Sequence, residues 1–177
     1  GIPGFRPSDI TLRNVELFSP GGGTPADSAV VGVEGLDLDK PGKYGDFVDD
    51  AAARGGRAVR LYDGQYGWCL RFRYNRLAYD PGVKYRVRAH VKPLLTGADG
   101  EVFYAGLYDQ RHNPQNVSWL HFKKDDVSGG YAWYDLGSFA PSEDAIVWFS
   151  SAKPTGAGVP RAAKGVLVDA VEISRNE

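Results

Sequence analysis

Between Gly67 and Lys92 the chain alternates apolar and basic side chains over two runs, GWCLRFRYNRLAYDPGVKYRVRAHVK. Trp68, Leu70, Phe72 and Tyr74 share one parity, with Cys69, Arg71 and Arg73 on the other. In the second run Tyr85, Val87, Ala89 and Val91 oppose Lys84, Arg86, Arg88, His90 and Lys92. A period of two residues specifies β-strands that bury one face and present the other to solvent or a ligand. Asp80-Pro81-Gly82 supplies a type II turn, with proline fixing φ at the first central position and glycine accepting positive φ at the second. The two runs are therefore predicted to form a hairpin whose outer side is almost wholly cationic.

That positive field is local. Residues 1–55 carry 5 basic and 9 acidic side chains, 56–92 carry 9 and 2, and 93–177 carry 7 and 11. The net charge of −1 argues against a general nucleic-acid binder. No apolar run approaches the length of a membrane span, and no signal peptide is visible. A start at Gly-Ile-Pro-Gly and the absence of methionine suggest a piece processed or excised from a longer chain. One cysteine excludes an intrachain disulfide framework; Cys69 is either a small filler or a thiol with a depressed pKa.

Residues 1–55 are the least regular part. Ile10–Phe18 reads as a first strand, ended by Ser19-Pro20 and three glycines, and Ala29–Val33 as a second short run. Glu34–Asp50 is an acidic loop, either a solvated connection or a source of oxygen ligands for a hard cation. Ala58–Tyr62 is a strand, Pro93–Gly100 a loop, and Glu101–Gln110 and Val117–Lys123 alternate again. Ser128-Gly129-Gly130 turns into Tyr131–Leu136; Ala145–Ser151 and Gly165–Ser174 close the chain. About nine or ten short strands with no amphipathic helix predict an all-β, antiparallel β-sandwich of the jelly-roll kind, one module over residues 1–177.

If the apolar parities pack inward, the outward parities pool into one set: Arg71, Arg73, Arg86, Arg88 and His90, then Tyr104, Tyr108, Trp119, His121 and Lys123. Aromatic rings beside guanidinium groups suit a sugar polymer, whose C–H-rich ring faces pack on aromatics while hydroxyls or carboxylates take the polar groups. The alternative is a set of solvent-facing residues neutralised by nearby Asp or Glu. Trp68, Trp133 and Trp148 are expected in the core. No nucleophile elbow, zinc-protease helix, dinucleotide fingerprint or phosphate loop occurs, and no two carboxylates can be singled out as an acid/base pair.

Four segments in order resemble carbohydrate-binding modules of the galactose-binding-like jelly-roll type, such as those appended to large bacterial glycoside-hydrolase-like proteins. They are the double-glycine stretch Asp49–Leu61, the Pro-Gly-x-x-Tyr strand entry Pro81–Tyr85 within Leu77–Lys92, Tyr131–Pro141, and the closing strand Gly165–Ile173. The resemblance spans roughly residues 45–175. It implies a polysaccharide partner, a linked catalytic domain, no membrane insertion, and an extracellular, periplasmic or cell-surface location. It also implies a structural calcium ion with Asp169 as a ligand, although Ala170 stands where the family pattern has a second acid. Val102–Gln110 is similar to a strand of jelly-roll alginate lyases, which would make Tyr108 a catalytic acid/base, but that family's other motifs are absent.

The sequence thus predicts a non-catalytic module for an anionic or uronate-containing glycan. A uronate lyase and a structural interdomain sandwich docking its cationic face on an acidic surface remain the alternatives. The site lies on the sheet face or in edge loops carrying Tyr66, Trp68, His112 and Asn113.

Overall fold

The computed structural model describes residues 28–77, 79–154 and 156–176. The first predicted strand, Ile10–Phe18, lies outside them. Eleven strands occur among the described residues: β1 (Ser28–Gly32), β2 (Asp37–Leu38), β3 (Gly45–Asp49), β4 (Arg57–Tyr62), β5 (Leu70–Arg73), β6 (Tyr85–Leu95), β7 (Glu101–Tyr108), β8 (Asn116–Lys123), β9 (Ala132–Phe139), β10 (Ile146–Ser151) and β11 (Ala163–Arg175). The helical content is single 3-10 turns.

All pairings between these strands are antiparallel. One sheet, here sheet A, runs β3-β4-β11-β6-β9, with β1 also paired to β11. The other, sheet B, runs β2-β5-β10-β7-β8. Leu70, Phe72, Phe103, Ala105, Leu107, Val147 and Phe149 of sheet B meet Val59, Leu61, Val87, Ala89, Val91, Val166 and Val168 of sheet A in one buried core. This is the two-layer β-sandwich of a jelly roll, and the inward parities of β5, β6 and β7 are those read from the sequence.

Three expectations are corrected. The Asp80–Val83 turn forms, with Gly82 at φ 80° and Val83 N–H donating to Asp80 C=O at 3.2 Å. It does not close a hairpin, however: β5 lies in sheet B and β6 in sheet A, so the connection crosses from one layer to the other. The stretch from Tyr74 to Lys84 is too long for a tight hairpin loop, and a 3-10 turn at Tyr74–Arg76 redirects the chain first. Second, β6 continues through Pro93 to Leu95, where a loop was expected, because Pro93 pairs with Val166. Third, the acidic Glu34–Asp50 stretch contains β2 and the edge strand β3.

Candidate functional site

The division of strands between layers splits the predicted constellation. Arg86, Arg88 and His90 lie on the outer face of sheet A, whereas Arg71, Arg73, Tyr104, Tyr108, Trp119 and His121 lie on the outer face of sheet B. They form two surfaces on opposite sides of the sandwich.

On sheet A every basic group of β6 has its own carboxylate. Arg86 Nε donates to Asp135 at 2.8 Å, Arg88 pairs with Glu172, His90 Nδ1 lies 2.7 Å from Asp169 Oδ1, and Lys92 Nζ donates to Asp50 at 2.9 Å. Between these pairs, Trp133 is flanked by the guanidinium groups of Arg54 and Arg88 at 5.7 and 5.4 Å from its ring, and His90 stacks on Tyr131. The unneutralised cationic face expected from the hairpin is therefore absent here. So is the reason for this face to dock on an acidic partner. The signal was available only in three dimensions, because the partners come from β9, from β11 and from the turn after β3.

Asp169 is fully buried. A bulge in β11 between Val168 and Ala170 re-aims its carboxylate toward β6. One oxygen meets His90, and the other accepts from the backbone N–H of Arg54 at 2.6 Å. Among the described residues no group of three or more His, Cys, Asp or Glu side chains gathers as a metal-binding set.

Sheet B is built differently. Three cross-strand rows lie on its outer face. Arg73, Ile146, Tyr108 and Asn116 form one; Arg71, Trp148, Gly106 and Trp119 the next; and Ser150, Tyr104 and His121 the third. The indole of Trp148 lies over Gly106. A Cβ at that glycine would stand 2.8 Å from Trp148 Cζ2 and 2.3 Å from the Ser118 carbonyl oxygen. The loop after β4 then folds over this floor. Trp68 stacks on Trp148 at 6.0 Å and meets Tyr108 at 4.7 Å, while Tyr66 stands edge-on to Tyr104 at 5.5 Å. Trp119 stands edge-on to Trp148 at 5.8 Å.

The result is a tiered aromatic surface. Tyr104 and Trp148 are each 2% exposed and form its base, whereas Tyr66, Trp68 and Trp119 rise 47%, 39% and 48% exposed above them. The expectation that Trp68, Trp133 and Trp148 fill the core holds only for Trp148, which is buried in a second cluster with Tyr104 and Ile146 outside the main core. Trp68 is exposed, and Trp133 lies on the outer face of sheet A. Of the loop residues, Tyr66 and Trp68 join the sheet face, whereas His112 packs beside Phe139, with Nε2 at 2.9 Å from Ala140 C=O.

The polar groups of this face are unevenly satisfied. Arg73 pairs with Asp37 at 3.2 Å. Among the described residues Arg71 has no ion-pair partner, and its buried Nε, Trp148 Nε1 and Ser150 Oγ have no hydrogen-bond partner. Such atoms cost about 1–3 kcal/mol each when buried and unpaired. At the far end, Glu101 accepts from the Tyr104 hydroxyl and lies 2.8 Å from His121 Nδ1. The Tyr104 and His121 contacts hold the Glu101 carboxyl below its usual range, and burial, reinforced by Glu101, pushes the Tyr104 phenol up to about 12. Tyr108 donates to Gln115 Oε1 at 3.2 Å and packs under Trp68; nothing at its hydroxyl marks it as an acid/base.

Solved structures share this architecture. The family 35 carbohydrate-binding module of Clostridium thermocellum superposes with a TM-score of 0.54 at 14% identity, over 82% of this chain and 97% of that one. A family 6 module of Cellvibrio mixtus lichenase 5A, in complex with cellotriose, gives 0.52 at 8% identity over 84% and 98%. The fold is that of these carbohydrate-binding modules. A third match is the C. thermocellum endo-1,4-β-D-xylanase 10B, solved as its CBM22-1 and GH10 modules with xylohexaose. It gives 0.52 at 14% identity over 83% of this chain, which spans only 27% of the xylanase chain. No family model and no curated protein matches the sequence. Among the described residues no helix is long and apolar enough to cross a membrane.

Proposed function

We propose that this chain is a non-catalytic carbohydrate-binding module that holds a polysaccharide on the outer face of sheet B, with acidic, uronate-containing glycans favoured over neutral ones. The observation that carries this reading is the aromatic tier of Tyr66, Trp68 and Trp119 above a base with unpartnered polar atoms. Exposed rings take the apolar faces of sugar rings, and the sugar hydroxyls meet polar groups at the rim of those rings. The complexes of same-fold modules with cellotriose and xylohexaose support the ligand class. The acidic preference rests on Arg71, which lies on this face without an ion-pair partner among the described residues and whose guanidinium suits bidentate contact with a uronate. A module of this kind, joined to a catalytic domain outside the cell or at its surface, raises the local concentration of substrate for that domain.

Affinity electrophoresis against neutral and acidic polysaccharides, with absorbance read for unsaturated products, tests the reading. Retardation without new absorbance is expected, as is near-complete loss of retardation in Trp119→Ala. Arg71→Ala should weaken acidic glycans more than neutral ones, and the difference should shrink with salt. Absorbance lost in Tyr108→Phe would instead establish the lyase, and an absence of retardation by every glycan would refute a binding role.

A further inference from the structure

One end of the aromatic face opens into a cleft of about 170 Å³, lined by Asp63, Glu101, Lys153, Pro160, Arg161 and Ala162 among others. The cleft and the face share a wall. Glu101 lines the cleft while its carboxylate holds Tyr104 and His121 of the face. Lys153 lines the cleft while its backbone N–H donates to the Tyr104 hydroxyl oxygen at 3.2 Å.

The far wall is specifically shaped. Arg161 is tied to Asp63 by an ion pair of 2.6 Å and lies across Gly64, where a Cβ would stand 2.4 Å from Arg161 Nη1. Gly64 adopts φ 69°, a conformation that favours glycine. Of the charged groups named around the cleft, Asp63 is engaged with Arg161 and Glu101 with Tyr104 and His121, whereas the Lys153 ammonium has no ion-pair partner among the described residues.

We infer that this cleft is a terminal subsite: it takes the last sugar ring of a glycan chain laid along the aromatic face, with the Lys153 ammonium on that ring's oxygens. The inference rests on the proposed glycan-binding role of the face. Size limits the occupant. Drug-sized pockets run roughly 300–1,000 Å³, so a cleft of about 170 Å³ has room for about one ring. A chain end seated there leaves the rest of the chain on the aromatic rings. A module built this way counts chain ends, whereas the flat aromatic surface alone would bind along the length of a polymer.

The test is isothermal titration of the wild type, Lys153→Ala, Lys153→Arg and Trp119→Ala with trimers and hexamers of xylose, glucose and galacturonate, and with the three parent polymers. The wild type should bind oligomers with one site per chain, and polymer capacity should follow the number of chain ends rather than mass. Lys153→Ala should lose roughly tenfold in oligomer affinity, and Lys153→Arg should recover most of it. Lys153 is exposed, so these variants leave the core untouched. Polymer capacity proportional to mass, or a Lys153→Ala affinity equal to wild type while Trp119→Ala abolishes binding, would overturn the terminal subsite and leave the face standing. Absence of binding to all nine probes would overturn the glycan-binding reading itself.

Discussion

Cys69 shows how burial decides the chemistry of a single side chain. Its position beside Arg71 left open a depressed, reactive thiol. In the fold it is 4% exposed, its thiol lies 3.3 Å from the Gln65 carbonyl oxygen, and burial pushes its pKa up to about 11. Iodoacetamide at neutral pH should therefore modify the native protein far more slowly than the urea-unfolded chain; equal rates would contradict the assignment. Glu101 titrates in the opposite direction. Its carboxyl is held below its usual value, so its contribution to stability is complete above the unfolded glutamate value of about 4.3 and is lost as pH falls through the lower folded value. Tyr104 is raised to about 12, so its contribution is complete below its ordinary value near 10 and is lost as pH rises toward 12. Thermal melts across pH should show Glu101→Gln making the acid limb shallower and weakening, without abolishing, the alkaline limb, because burial remains the larger cause of the Tyr104 shift. An unchanged acid limb would remove Glu101 from the account.

Among the elements, β10 explains why half of the candidate site was not legible. Its residues Ile146–Ser151 are buried on both faces, Val147 and Phe149 against the core and Ile146 and Trp148 under the aromatic tier. A strand covered on both sides loses its alternation, so Trp148 read as core. The continuous apolar run was nevertheless the signal that something covers the outer face. In β7 the alternation survives, and Phe103, Ala105 and Leu107 point inward as read. Period alone does not say which sheet a strand joins, which is why β5 and β6 were taken as neighbours and their arginines pooled. The packing of β10 on β7 through a glycine has a mechanical consequence. Gly106→Ala should destabilise the protein by about 1–3 kcal/mol in urea unfolding, because the added methyl meets backbone on one side and an indole on the other. It should also weaken glycan binding by tilting Trp148. Wild-type stability in this variant would mean that the indole does not rest there.

At the scale of the whole molecule the two outer faces divide labour. Sheet A binds its own charges: four basic groups on β6 meet four carboxylates, and the aromatics stack among them. The half-exposed Arg86–Asp135 pair is of the surface kind that contributes roughly 0–1 kcal/mol, so Arg86→Ala should change glycan binding not at all and stability only slightly. Sheet B instead presents exposed rings above buried polar atoms that have no hydrogen-bond partner among the described residues. The jelly roll and the inward parities were readable from period and turn chemistry. The choice of face was not, because it depends on which carboxylates the topology brings beside which arginines.

The four tryptophans offer the most direct test of that choice, since Trp68, Trp119 and Trp148 belong to sheet B's face and Trp133 to sheet A's. In a two-dimensional proton–nitrogen NMR titration with the tightest-binding polysaccharide fragment, the indole N–H signals of Trp68, Trp119 and Trp148 should shift together and saturably, with Trp133 unmoved. A saturable shift of Trp133 with the other three unchanged would place the glycan on the opposite face and contradict the account.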